Sequence, residues 1–153
     1  MINVEITEEF AFQLDSQLIE QTALTTLQHE SEHKDPNLTI VITNDEQIQA
    51  LNKQYLDVDD PTDVLSFSAD FLDPENETLY LGDIIISYPR AMKQAADGGY
   101  DVKTEIQLLV VHGVLHLLGH DHAESSEKSR MWAVQKDILH QLGHDNLKLP
   151  DGE

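Results

Sequence analysis

Residues 103–118 read Lys-Thr-Glu-Ile-Gln-Leu-Leu-Val-Val-His-Gly-Val-Leu-His-Leu-Leu, and Gly119-His120-Asp121-His122 follow directly. Drawn as a helix, the stretch is apolar on nearly every side, with Ile106, Leu108, Leu109, Val110, Val111, Val114, Leu115, Leu117 and Leu118. A helix that is hydrophobic all round belongs in the middle of a protein. Gly119 stops it. Two histidines inside such a helix require a reason, because an unpaired polar group in an apolar interior is costly.

The segments on either side supply the layers that this helix needs. Ile2 to Thr7 alternates like a first strand, and Leu14, Leu18, Ala23 and Leu27 give an amphipathic helix over about Phe10 to Glu30. Asn37 to Thr43 is β-rich and follows Pro36, as a buried strand would. Thr43-Asn44-Asp45-Glu46 fits a capping box with Thr43 as N-cap, opening a helix that carries Ile48, Leu51 and Tyr55. Val64 to Ser68 is a short strand and Asp70 to Thr78 a loop. Leu79 to Ser87 is another strand, with Gly82 at a bulge or close approach. Ser87 caps a helix to Asp97, with Pro89 in its first turn, and Gly98-Gly99 ends it. A last helix runs from Ser125 to Leu142. The order β-α-β-α-β-β-α-α-α predicts an α+β fold, a small mixed β-sheet covered by helices with the buried helix at its centre. One domain over residues 1–147 and a flexible tail over 148–153 are expected.

The chain has 153 residues, enough for one domain with a real core. It has no cysteine, so disulfides and thiolate metal ligands are excluded. The N-terminus lacks a basic start followed by an apolar run, and the apolar run Leu108 to Val111 falls far short of the roughly 20 residues that span a bilayer. Cytoplasmic residence without membrane association is the expectation. The net charge of −20, from 29 acidic and 9 basic residues, argues against broad unspecific binding to nucleic acid. Of the basic residues only Lys34 and Lys53 precede residue 90, so a local positive groove on an acidic body and scattered surface charge are both open.

Residues four apart on a helix share a face, so His112 and His116 can converge on one ion. Gly119 lets the chain turn and bring His122 back as a third ligand. Three protein ligands leave zinc an open position for activating water, the catalytic rather than the structural arrangement. A bare His-x-x-x-His is weak, since about 0.4 such pairs are expected by chance in this composition. Outside the 112–122 stretch two others occur, His29/His33 and His140/His144. Neither has a third histidine beyond a turn, so both are read as surface residues. Satisfied core histidines are the alternative for 112, 116 and 122, but each would then need its own partner. The offsets of the set, with Gly119 between, match the metzincin zinc proteases, which place a general-base Glu just after the first histidine. This chain has Gly113 there, so peptide hydrolysis by that route is disfavoured.

Residues 112–122 resemble the signature His-Gly-x-Leu-His-Leu-x-Gly-Tyr-Asp-His of the bacterial YbeY endoribonucleases at every fixed position except His120. Asp60-Pro61-Thr62-Asp63-Val64-Leu65-Ser66-Phe67 and Leu81-Gly82-Asp83-Ile84 resemble two further stretches of that family, in its order. The resemblance implies a metal-dependent, single-strand-specific endoribonuclease acting in rRNA processing (maturation of the 16S rRNA 3′ end) and ribosome quality control. Its partners would be single-stranded RNA, the ribosome and ribosome-associated factors. It also implies one Zn2+ per chain on His112, His116 and His122. Alternatives are a ribosome-assembly factor with a structural metal and, less favoured, a zinc peptidase. The family usually has an arginine after Asn-x-x-Tyr, where Asn52 and Tyr55 are followed by Leu56, so a phosphate contact is lost there. Arg90 or Arg130 are candidates to replace it as substrate contacts. His120, in place of tyrosine, could compete as a ligand, bind RNA or, by default, sit in solvent. Asp121 could orient a ligand histidine or cap the final helix. Asp63, Ser66 and Asp83 match family stretches, though turn or strand-end roles explain them. Beyond water activated by the metal, His120 and Asp121 are the only catalytic candidates.

Overall fold

The structure is a computed structural model and describes residues 1–31, 35–72, 75 and 78–144. The boundary expected at residue 147 and the tail 148–153 lie outside the described residues, as do His33, Lys34 and Lys148. Four strands, β1 (Ile2–Ile6), β2 (Asn37–Thr43), β3 (Val64–Leu72) and β4 (Leu79–Ser87), form one sheet in the order β1-β2-β4-β3. β1 pairs parallel to β2 and β2 parallel to β4, while β3 runs antiparallel to β4. The helices are α1 (Ser16–Glu30), α2 (Asp45–Leu56), α3 (Tyr88–Gly98), α4 (Val102–Leu117) and α5 (Ser125–Gln141).

The burial pattern of α4 explains its composition. Ile106, Leu109, Val110 and Val114 join the main core against Ile40, Ile42, Ile84 and Ile86 of the sheet. Leu108, Val111 and Leu115 face away from the sheet and pack on Met131, Ile138 and Leu139 of α5. α4 is therefore sandwiched, which is why no face of it is polar. On the other side of the sheet, Ile48 of α2 packs on Leu65 and Ile85, with Leu51 and Phe67 at the margin. The expected α+β architecture, a mixed sheet covered by helices around a buried central one, is the one observed.

Three local expectations are corrected. α1 begins at Ser16 with Asp15 as N-cap, its carboxylate accepting from the Gln17 N–H, rather than at Phe10. Glu8–Phe10 is a separate 3-10 turn, held because the Phe10 ring is buried against Tyr88 at 4.7 Å between centroids. The N-cap of α2 is Asn44, not Thr43: the Asn44 side chain accepts from the Gln47 N–H, and Thr43 still belongs to β2. β3 continues to Leu72, beyond the expected end at Ser68, because β4 pairs with it as far as Leu72↔Leu79. Its register shifts between Ser68 and Phe71, opposite Gly82. A Cβ on Gly82 would lie 2.1 Å from the Phe67 carbonyl oxygen, so the close approach expected there is real.

Candidate metal centre

His112 and His116 project from the C-terminal half of α4, one turn apart, and His122 returns on the loop that follows. The return depends on Gly119, whose φ of 99° belongs to the left-handed region that glycine enters without penalty. The helix end is closed by the Gly119 N–H donating to the His116 carbonyl at 3.0 Å and the His120 N–H to the Leu115 carbonyl at 2.9 Å. One ligand nitrogen from each of the three histidines lies within 4.8 Å of the others, and together they could hold a metal ion. Nε2 of His112 and Nε2 of His116 stand 3.1 Å apart. Two nitrogens bound to one zinc at 2.0–2.1 Å in a tetrahedron would be separated by roughly 3.3 Å, so the donor set fits such an ion.

His112 is buried, and its Nδ1 lies 2.7 Å from Oε1 of Gln135, itself fully buried on α5. With Nδ1–H donating to that oxygen, the neutral ring presents its Nε2 lone pair toward His116. Burial, with His116 alongside, pushes the His112 pKa down to about 4. Burial and the neighbouring His122 lower that of His116 as well. Both rings are thus neutral near pH 7, the protonation state that a metal ligand needs. Trp132 backs the centre, with its ring centroid 5.9 Å from His112 and 5.7 Å from His122, and Lys128 Nζ lies 5.6 Å over the indole.

Position 113 leaves little room for a side chain. A Cβ there would lie 2.8 Å from Cγ2 of Ile84 in the sheet, so the general-base glutamate of the metzincins has no room. The three histidines open instead onto a cavity of about 400 Å³ whose opposite wall is residues 62–66 and Ser68. Asp63 in that wall is buried; Oδ1 accepts from the Val64 N–H and Oδ2 from Gln94 Nε2. Ser66 Oγ donates to the Gly113 carbonyl at 3.4 Å, joining β3 to α4 at the site.

The remaining candidates fall out differently. Asp121 accepts the backbone N–H of His122 at 2.7 Å. The N-cap of α5 is Glu124 and not Asp121. His120 is not solvated; its Nε2 lies 2.9 Å from Oε1 of Glu30, and only 15% of its side chain is exposed. Arg130 lines a second cavity of about 300 Å³ together with His120 and Asp121. Arg90 sits 3.6 Å from Asp45 and is absent from the walls of the histidine cavity. Asp83 lies on the other face of the sheet, bonded to the Tyr80 hydroxyl. The histidines read as surface residues are more engaged than expected. Half-buried His29 meets Glu30 at 2.8 Å and half-buried His144 meets Gln107 at 2.7 Å, while His140 is exposed. Gln135 and Glu30 were not anticipated. Only Gln135 left a trace, as a glutamine on the apolar face shared by Met131, Ile138 and Leu139.

Among the described residues, no helix is long and apolar enough to cross a membrane. A protein of Thermotoga maritima solved in solution shares the fold over all of both chains, with a TM-score of 0.62 and 23% identity. A protein of Roseiflexus sp. (strain RS-1) named Endoribonuclease YbeY is 43% identical over 144 residues, covering 90% of each chain. One of the same name from Clavibacter sepedonicus is 40% identical over 143 residues, covering 90% of this chain and 94% of its own. The family model described as Endoribonuclease YbeY matches residues 2–143. On that match and these identities, the chain belongs to the YbeY family.

Proposed function

We propose that the protein is a metal-dependent endoribonuclease, specific for single strands, that processes rRNA and takes part in ribosome quality control in the cytoplasm, with one zinc ion on His112, His116 and His122. The observation that carries the reading is the convergence of three histidine nitrogens at the edge of an open cavity, with the peptidase base position closed by Ile84. The names of the relatives supply the substrate class. When bound, a divalent cation polarises a phosphoryl oxygen and activates water, which needs no carboxylate at position 113. The chain's part is to hold two imidazoles neutral by burial, to fix the His112 ring through Gln135, and to shield one side with Trp132. Residues 62–66 and Ser68 then form the wall along which a strand would lie.

A second reading, an assembly factor that binds ribosomal RNA with little cleavage, is favoured by one observation. Leu56 is 54% exposed where the family resemblance calls for an arginine, and Arg90 is engaged by Asp45. Cleavage of a labelled single-stranded RNA, with metal content measured on the same sample, separates the two. Wild type is expected to cut, and His116→Ala to bind less metal and not cut. Cleavage by Leu56→Arg alone, or metal bound near one per chain with no cleavage by any form, moves the assembly reading ahead. Cleavage that survives in His116→Ala or in EDTA sinks the metal mechanism.

A further inference from the structure

His120 is where this chain departs from the family signature inside the ligand loop, and its partner lies ninety residues away at the last position of α1. Glu30 spans two imidazoles. Oε1 is 2.9 Å from His120 Nε2, and Oε2 is 2.8 Å from His29 Nδ1. Both members of the cross-chain pair are largely covered, with 15% and 21% of their side chains exposed. An ion pair or hydrogen bond in that setting is less screened than one at the surface. The loop needs such a hold. After the helix-closing bonds to Leu115 and His116, the His122 backbone N–H donates locally, to the carboxylate of the adjacent Asp121. α5 supports the His122 ring on one side through Trp132, and α1 grips the loop two residues earlier through Glu30.

We propose that Glu30 is a positioning residue for the metal centre: by holding His120 it fixes the Gly119–His122 turn so that His122 stays in reach of His112 and His116. The inference rests on the metal reading above. A ligand carried by a loop must be immobilised when the metal binds, and a loop already tethered loses less freedom at that step. Outer supports of metal ligands characteristically change affinity by about 10- to 100-fold. Because Glu30 touches the loop and not a ligand ring, the lower end applies, about tenfold.

The test is the affinity of the apo protein for Zn2+, by competition with a chromogenic chelator, and the visible spectrum of the Co2+ form. Wild type, Glu30→Ala, Glu30→Gln, His120→Ala and His116→Ala are compared, with thermal unfolding of each apo form. Glu30→Gln keeps an oxygen that can accept from His120 Nε2, so it is expected within about threefold of wild type. Glu30→Ala and His120→Ala, which remove the tether from opposite ends, are each expected to weaken Zn2+ by about tenfold and to alter the Co2+ bands, with apo unfolding midpoints alike. Affinity equal to wild type in either alanine variant overturns the inference, and so does an equal loss in Glu30→Gln and Glu30→Ala. If Glu30→Ala does not fold, His120→Ala decides alone. If wild type binds Zn2+ no better than His116→Ala, the metal reading itself fails and the inference goes with it. Strong wild-type binding with an unaffected Glu30→Ala removes only the inference.

Discussion

Replacing Gln135 by leucine removes the acceptor that His112 Nδ1 meets at 2.7 Å and leaves the shape of the core nearly unchanged. The consequence differs between the metal-free and metal-bound protein. Without metal, His112 can shift its proton to Nε2 and donate across the 3.1 Å gap to His116, so the lost acceptor need not leave an unpaired N–H. With metal bound, Nε2 must keep its lone pair, the proton is confined to Nδ1, and a buried donor is left without a partner. That costs about 1–3 kcal/mol, which corresponds to roughly 5- to 150-fold in affinity. The apo protein is spared, and it also loses the buried Gln135 Nε2, which has no hydrogen-bond partner. The expected result is Zn2+ binding weakened by about tenfold or more in a chelator competition, with urea unfolding of the apo form unchanged or shifted toward greater stability. Zn2+ affinity within twofold of wild type would refute the reasoning. So would an apo destabilisation as large as the affinity loss, since the glutamine would then be serving the core alone.

Two further outcomes follow from the same geometry. In EDTA, the apo protein should lose stability as pH falls from about 6.5 toward 4. The unfolded chain takes up a proton on His112 that the folded chain refuses until about pH 4. This contribution is complete above the ordinary histidine value and lost progressively below it, on the order of 3 kcal/mol, with His116 acting in the same direction. Unfolding free energies measured in urea across that window, in wild type and His112→Gln, read it out, and a wild type no more pH-dependent than the variant contradicts it. Gly113→Ala should destabilise by about 1–3 kcal/mol, because the new methyl lies 2.8 Å from Ile84 Cγ2. Its cost should shrink in an Ile84→Ala background, where Cγ2 is gone, and a neutral Gly113→Ala in the wild-type background would mean that α4 can lift off the sheet.

The central helix, the order of elements and the three histidines were legible because each rests on local information: periodicity, glycine punctuation and the four-residue spacing on one helix face. What escaped rests on contacts between distant segments. Phe10 has the composition of a helix start, yet its burial against Tyr88 holds it in a separate turn, and α1 begins at Ser16 instead. β3 extends to Leu72 because β4 offers partners that far, which no property of residues 69–72 announces. Thr43 and Asn44 are both good caps, and the choice went to Asn44 because the sheet register pairs Thr43 with Ser87. Within the site, Glu30 and His120 are separated by ninety residues, and only the docking of α1 beside the end of α4 makes them neighbours.

Two of the three clustered histidines sit on α4, which is packed by the sheet on one side and α5 on the other, while the third sits on a loop with few apolar anchors. Segments of unequal packing open with unequal free energies. The loop should therefore come free many times for each time that the helix unravels, and an ion held by the three histidines would lose His122 first, with His112 and His116 still in register. Exchange of metal would then proceed from a fully folded core, at a rate set by the excursions of residues 118–124. Amide exchange would trace the same ranking, fast at the loop and slowest along the buried middle of α4.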